Sequence, residues 1–344
     1  KGCALIVSHD RRFLDSICTH IVDVDYEQVM LYTGNYEDFE KAKILDRDRK
    51  EAEISKQEQQ VADHQAFIDR FKAKASKARQ AQSKVKQLEK IVIEDLPQSS
   101  RQYPNFRFRS RRPSGKEVVR IEGVAKAFEE NRVLDGVTLK IQRGDRLAII
   151  GPNGIGKSTL LKIVVGELEA DTGEVEWGHE TYPGYFSQDH RELEGGEDQS
   201  ILDWLWAQCS DQGPGYVRGK LAEVLFSRDD VFKKVGNLSG GEAARMVFAR
   251  LNIMEPNVLI LDEPTNHLDL EGIEALAEGL QAYDGTILFV SHDRWFVSSL
   301  ATRILEITPA GMEDFSGGYA DYLEKCGDDH LDAEAVIEKA RRKN

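Results

Sequence analysis

No apolar run in this 344-residue chain reaches the roughly eighteen residues that a membrane-spanning helix needs, so nothing in it reads as crossing a bilayer. Cysteine is scarce. Cys3, Cys18, Cys209 and Cys326 lie far apart, with neither C-x-x-C pairing nor metal-ligand spacing, a pattern of reduced thiols in a cytoplasmic protein. The start at Lys1 has no methionine, basic leader or signal-type apolar segment, so it reads as the downstream part of a longer protein. Positive charge is also in deficit. A formal charge of −14 argues against nucleic-acid binding by the whole surface while permitting local basic patches. What is present, 40% hydrophobic and 31% charged residues, belongs to a soluble globular chain long enough for about two domains.

The chain is organised around Gly151, Pro152, Asn153, Gly154, Ile155, Gly156, Lys157, Ser158 and Thr159, directly after the aliphatic run Leu147 to Ile150. G-x-x-x-x-G-K-S behind a buried strand and before a helix reads as a phosphate-binding loop. The glycines let backbone N–H groups turn toward an anion, and the helix opening at Lys157 adds the positive end of its dipole. Lys157 is then the ligand of the β- and γ-phosphates, and Ser158 offers a hydroxyl to Mg2+.

Ser8-His9-Asp10-Arg11-Arg12-Phe13, after the β-prone residues 3–8, recurs as Ser291-His292-Asp293-Arg294-Trp295-Phe296 after Thr286 to Val290. The offset of 283 (292 minus 9) persists through Gly34-Asn35-Tyr36 and Gly317-Gly318-Tyr319, which marks a duplicated unit. The first copy lacks everything upstream of its strand, so residues 1–43 read as the C-terminal remnant of a first domain. A parallel strand normally lies between neighbours, and residues 1–40 are therefore expected to be poorly protected.

Residues 44–94 contain no proline or glycine. Ile54, Val61, Ile68 and Ala75, then Phe71, Ala78, Val85 and Val92, recur at seven-residue spacing, which describes a coiled-coil seam. One long rod and an antiparallel hairpin both fit; packing of the flanking units favours the hairpin. Its tip collects Arg70, Lys72, Lys74, Lys77, Arg79, Lys84 and Lys86, either a solvated helix face or a probe for RNA phosphates. In the connector 95–115, arginines at 101, 107, 109, 111 and 112 alternate with Tyr103, Phe106 and Phe108. That mixture suits an RNA surface or a staple onto the next domain.

Residues 116–326 read as a complete α/β domain, followed by a charged tail over 327–344. Phe128 stands upstream of the phosphate loop, where it stacks on a base or packs in the core. A strand near Tyr182 ends toward Gln188, and Leu238-Ser239-Gly240-Gly241-Glu242 opens a helix as an anion nest. Val258 to Leu261 delivers Asp262 and Glu263. A carboxylate pair at the end of an apolar strand needs a cation or a proton donor. Asp262 suits Mg2+ held through water, Glu263 an attacking water, and His292 a γ-phosphate.

GPNGIGKST, Gln188, LSGGE, LILDEP and SHD in this order resemble the nucleotide-binding domain of an ABC ATPase. Glu263-Pro-Thr-Asn-His-Leu-Asp269 and Lys77-Ala-Arg-Gln-Ala-Gln-Ser-Lys84 resemble the ABC-F family, two such domains in one chain, and Phe296 to Pro309 is similar to its YbiT-type branch. The resemblance implies an α/β fold comprising a P-loop ABC-type domain, a coiled-coil linker and a remnant of a first ABC domain. It implies ATP and Mg2+, with Gly151 to Thr159 on the phosphates, Phe128 on adenine, and Ser158 and Gln188 on the metal together with Asp262. Glu263 is then the catalytic base and His292 the γ-phosphate sensor, as His9 is of the first domain. Ser239, Gly240, Gly241 and Glu242 serve an ATP bound to another domain, in cis in a longer parent or in trans in a homodimer. The implied partner is the ribosome, through rRNA and peptidyl-tRNA; a transporter motor and a DNA-repair or replication ATPase are the alternatives.

Overall fold

In a computed structural model of the chain, the described residues are 2–8, 11–25, 28–46, 49, 56, 103–129, 131–309 and 311–326. Two compact units divide between Gln102 and Tyr103.

The first unit contains helix α1 (Arg11–Ile17), strands β1 (His20–Asp25) and β2 (Gln28–Thr33), and helix α2 over 36–46. β1 and β2 pair antiparallel, with Val22 opposite Leu31 and Val24 opposite Val29. Tyr32 meets Phe39 edge-on at 5.0 Å between ring centroids, which pins α2 to the hairpin.

The second unit begins with the long antiparallel strands β3 (Glu117–Phe128) and β4 (Asn131–Gln142), then β5 (Arg146–Ile150) and helix α3 (Lys157–Val165). Strands β6 (Thr172–Trp177) and β7 (Pro183–Phe186) follow, then helices α4 (Ile201–Ala207), α5 (Pro214–Glu223) and α6 (Gly240–Met254). The chain closes through β8 (Val258–Asp262), α7 (Leu270–Gln281), β9 (Thr286–Val290), α8 (Arg294–Leu300), β10 (Arg303–Thr308), β11 (Gly311–Ser316) and α9 (Tyr319–Cys326). One sheet has the order β11-β10-β5-β9-β8-β7, parallel except for β11 at its edge. A separate antiparallel sheet has the order β4-β3-β6.

Burial explains the strand composition. Successive residues of β8 point to opposite faces: Leu259 and Leu261 enter the core with α4 to α8, while Val258 and Ile260 enter the core with α3, β3 and β4. A strand covered on both faces must be apolar throughout, as β8 and β9 are. Several helix starts carry side-chain caps. Ser239 and Glu242 form a reciprocal capping box at α6, while Asp269 and Asp293 accept from the N–H groups of Gly272 and Phe296 at 2.8 and 2.9 Å.

The repeat seen in the sequence recurs in space. Each bound of α1, β1 and β2 falls 283 residues before that of α8, β10 and β11. The environments differ sharply: Ile307 of β10 is 4% exposed, and its counterpart Val24 is 65% exposed. The β-prone residues 3–8 form no strand, although Thr286–Val290 at the equivalent position does, and Leu5 is 88% exposed. Strand geometry is held by neighbours, and β9 has β5 and β8 on either side.

In the connector, Phe106 and Phe108 are buried against Phe248 at 5.0 and 6.1 Å, while Arg107, Arg109 and Arg111 face outward. Phe106 and Phe108 therefore act as a staple, while Tyr103 is exposed. The hairpin tip with Arg70, Lys72, Lys74, Lys77, Arg79 and Lys84, the histidine at 9 and the tail over 327–344 lie outside the described residues. No helix among the described residues is long and apolar enough to cross a membrane.

Candidate functional site

Strand order assembles the site. β5, β9, β8 and β7 are consecutive and parallel, so their C-terminal ends line one edge of the sheet. The segments leaving those ends are the Gly151–Thr159 loop, His292, Asp262 with Glu263, and Gln188. In open parallel sheets this edge is where ligands bind. Residues more than a hundred positions apart in sequence thus meet.

The loop needs its glycines. Gly151 has φ +146°, and a Cβ there would overlap the carbonyl oxygen of Ile307. Gly156 has φ +108° at the N-cap of α3, where a Cβ would come within 2.6 Å of Val133 Cγ1. Lys157 is buried and curls under the loop, donating from Nζ to the carbonyl oxygens of Gly151 (2.8 Å) and Pro152 (3.0 Å). Burial pushes its pKa down, and Glu263 and Asp262 oppose that shift. A buried cation whose hydrogen bonds, among the described residues, go to two carbonyl oxygens is a strong attractor for an anion.

Ser158 Oγ donates to Asp262 Oδ1 at 2.9 Å. Asp262 is fully buried, its pKa raised by burial against the pull of Ser158, Lys162 and Lys157. Its second oxygen, Oδ2, has no hydrogen-bond partner among the described residues. An orphaned carboxylate oxygen beside a hydroxyl is the donor set of a hard cation. One carboxylate, one hydroxyl and the Gln188 amide from the same sheet edge also match the way Mg2+ is held, with few protein ligands and the rest supplied by phosphate and water. The residues therefore fit the metal.

Glu263 sits one residue beyond Asp262, with φ +51°, and is 6% exposed. Its N–H donates to the Val290 carbonyl at 2.9 Å, clamping the end of β8 to β9. Its carboxylate accepts the backbone N–H of His292 at 3.2 Å, and its Oε1 lies 3.2 Å from His292 Nε2. Burial pushes the Glu263 carboxyl up to about 7; the His292 N–H and Lys157 pull it down and Asp262 raises it. His292, at Glu263's side, is shifted the other way, its pKa lowered by burial and then by Lys157. A carboxyl poised near neutrality is matched to proton transfer.

Phe128, 48% exposed, ends β3 with Lys126 Nζ 5.8 Å from its ring centroid, which disposes of core packing and leaves a ring face available. Gln188 is exposed on the loop after β7. Ser239, Gly240, Gly241 and Glu242 form the first turn of α6. Burial would raise Glu242, yet Lys233 and the Ser239 N–H and hydroxyl hold it down at about 2. The ring of His267 packs against Gly240, so close that a Cβ there would lie 2.9 Å from it. Among the described residues the Ser239 hydroxyl donates to Glu242, which also accepts from Lys233, and neither side chain bonds to the Gly151–Thr159 loop. The sequence pattern did not single out Ser187 and Glu192, which brace Gln188. A serine and a glutamate flanking the turn Gln188-Asp189-His190-Arg191 were the available signal.

Two family models described as ABC transporter match the chain, at residues 134–266 and 22–108. The probable ATP-binding protein YbiT of Escherichia coli O157:H7 is 46% identical, over 94% of this chain and 61% of that protein. The uncharacterized ABC transporter ATP-binding protein YkpA of Bacillus subtilis is 43% identical, over 95% of this chain and 61% of its own length. ABC transporter F family member 5 of Arabidopsis thaliana is 36% identical, over 97% and 49%. The chain thus spans between about half and three fifths of the length of these curated relatives.

Proposed function

We propose that this chain, which belongs to the ABC-F family of ATP-binding proteins, binds and hydrolyses ATP with Mg2+ and works on the ribosome as a cytoplasmic translation factor. The observation that carries the ATP reading is the single edge where a buried Lys157, an orphaned Asp262 oxygen and a Glu263 poised near neutrality meet. Gly151 to Thr159 and Lys157 hold the phosphates, and Phe128 holds the base. Ser158, Asp262 and Gln188 hold Mg2+, which neutralises phosphate charge when bound. Glu263 orients the attacking water and takes its proton, while His292 fixes the Glu263 carboxylate and faces the γ-phosphate. Ser239, Gly240 and Gly241 serve an ATP held by another domain, in cis or in a second copy. ATP closes the paired domains and hydrolysis releases them, a two-state element biased by the γ-phosphate.

The ribosomal part rests on the basic tip of the 44–94 segment in an otherwise acidic chain. Co-sedimentation with ribosomes in ATP tests it, using Glu263→Gln to prolong the bound state. ATP-dependent pelleting that is lost on charge reversal of Arg70, Lys77 and Arg79, with nucleotide binding unchanged, is the expected result. Pelleting that survives the reversal makes the tip a solvated face, and no pelleting at all transfers the chain to a non-ribosomal partner.

A further inference from the structure

Gln188 stands on a loop whose shape is set by a neighbour that the ATP site does not use. Ser187, fully buried at the end of β7, has all its polar groups engaged within a few residues. Its N–H donates to Glu192 Oε1 at 2.5 Å and its Oγ donates to Glu192 Oε2 at 2.8 Å. The same Oγ accepts the Arg191 N–H at 2.9 Å, and the Ser187 carbonyl accepts the His190 N–H at 3.2 Å. Arg191 Nε closes the turn onto Asp189 at 2.7 Å. Gln188 thus occupies the open side of a ring tied shut by one carboxylate. Glu192 is half-buried, and burial raises its carboxyl pKa against the opposing pull of the Ser187 hydroxyl and N–H and, more weakly, of Arg250 on α6, the helix that begins with Ser239 and Gly240.

We propose that Glu192 is a positioning residue that holds Gln188 in register for Mg2+, through its two-oxygen grip on Ser187. The grip is bidentate and charge-assisted, so it fixes direction as well as distance. Without it the loop from 187 to 192 keeps its backbone turn, the Arg191 N–H on Ser187 Oγ and the Arg191–Asp189 pair, but nothing ties Ser187 to position 192, and Gln188 is less firmly placed. Outer residues that orient metal ligands cost about 10- to 100-fold in metal affinity when removed.

This inference rests on the Mg2+-ATP reading above. Its test is the Mg2+ dependence of binding of a fluorescent non-hydrolysable ATP analogue to the full chain, for Glu192→Ala, Gln188→Ala and the double variant. The half-saturating Mg2+ concentration should rise about tenfold in Glu192→Ala, with binding in chelator unchanged. Glu192→Ala should then add no further shift in the Gln188→Ala background. An unchanged Mg2+ dependence in Glu192→Ala, or an equal shift in both backgrounds, overturns the proposal and leaves Glu192 a purely structural residue. Should Glu192→Ala fail to fold, the same comparison is read on Glu192→Gln, whose amide turns a donor toward one of the two Ser187 donors. Failure of the wild-type chain to bind the analogue at any Mg2+ concentration would instead strike the ATP reading.

Discussion

Replacing Glu263 by glutamine measures the electrostatic strain at the site without any nucleotide present. The Glu263 carboxyl rises from an ordinary value of 4.5 to about 7 in the folded chain, chiefly through burial. A group whose folded pKa exceeds its unfolded one contributes stability that is complete below the unfolded value. That contribution is lost as pH rises through the folded value. The Glu263 contribution to wild-type stability should therefore decline between about pH 4.5 and 7, by about 3 kcal/mol in all, because each tenfold change in proton affinity is worth ~1.4 kcal/mol. Glutamine keeps the shape, can still accept the His292 N–H, and can donate to a neutral His292 Nε2 at the position that lies 3.2 Å from Oε1. It carries no charge at any pH. The two proteins should unfold alike near pH 4.5. At pH 8 the variant should be more stable by about 3 kcal/mol, which corresponds to about 6–12 °C in midpoint for a unit of this size. Thermal unfolding of both proteins across this range is the assay, and the difference curve isolates Glu263. A flat difference, or a wild type more stable at pH 8, would refute the buried-carboxylate reasoning.

Two further outcomes follow from the backbone. Gly151→Ala sets a Cβ onto the Ile307 carbonyl oxygen at φ +146° and should cost roughly 2–4 kcal/mol in denaturant unfolding, whereas a neutral result would place the loop elsewhere. Amide hydrogens of Leu5, Ile6 and Val7 should exchange within seconds to minutes while those of Leu288 and Phe289 persist for hours or longer, because only β9 is paired on both sides; slow exchange at 5–7 would contradict the unpaired backbone.

Local chemistry carried far along this chain. A Gly-rich loop behind an aliphatic run fixes its own conformation, so Gly151 to Thr159 was readable from spacing alone. Asp262 stood out because a charged residue at the tip of an all-apolar strand has few structural uses. The constant offset marked the duplication, and the bounds of α1, β1 and β2 fall at that same offset from those of α8, β10 and β11. What was hidden is set by non-local packing. β3 pairs with β6 from Val119 to Ala125 and runs on to Phe128 against β4 through several register shifts, and nothing in the sequence of that segment announces this pairing or length. The orphaned Oδ2 of Asp262 and the grip of Glu192 on Ser187 depend on which groups remain unpaired after folding. Residues 3–8 failed as a strand for the same reason: β-propensity is realised only against a neighbour.

The role of Glu263 as the base of a Mg2+-ATP site is tested most directly by comparing ATP binding and ATP turnover in wild type and Glu263→Gln at saturating Mg2+-ATP. Turnover should fall about 10²- to 10⁴-fold while affinity changes little, the pattern of a lost general base. Turnover within a factor of about two of wild type would remove Glu263 from the chemistry and contradict the assignment.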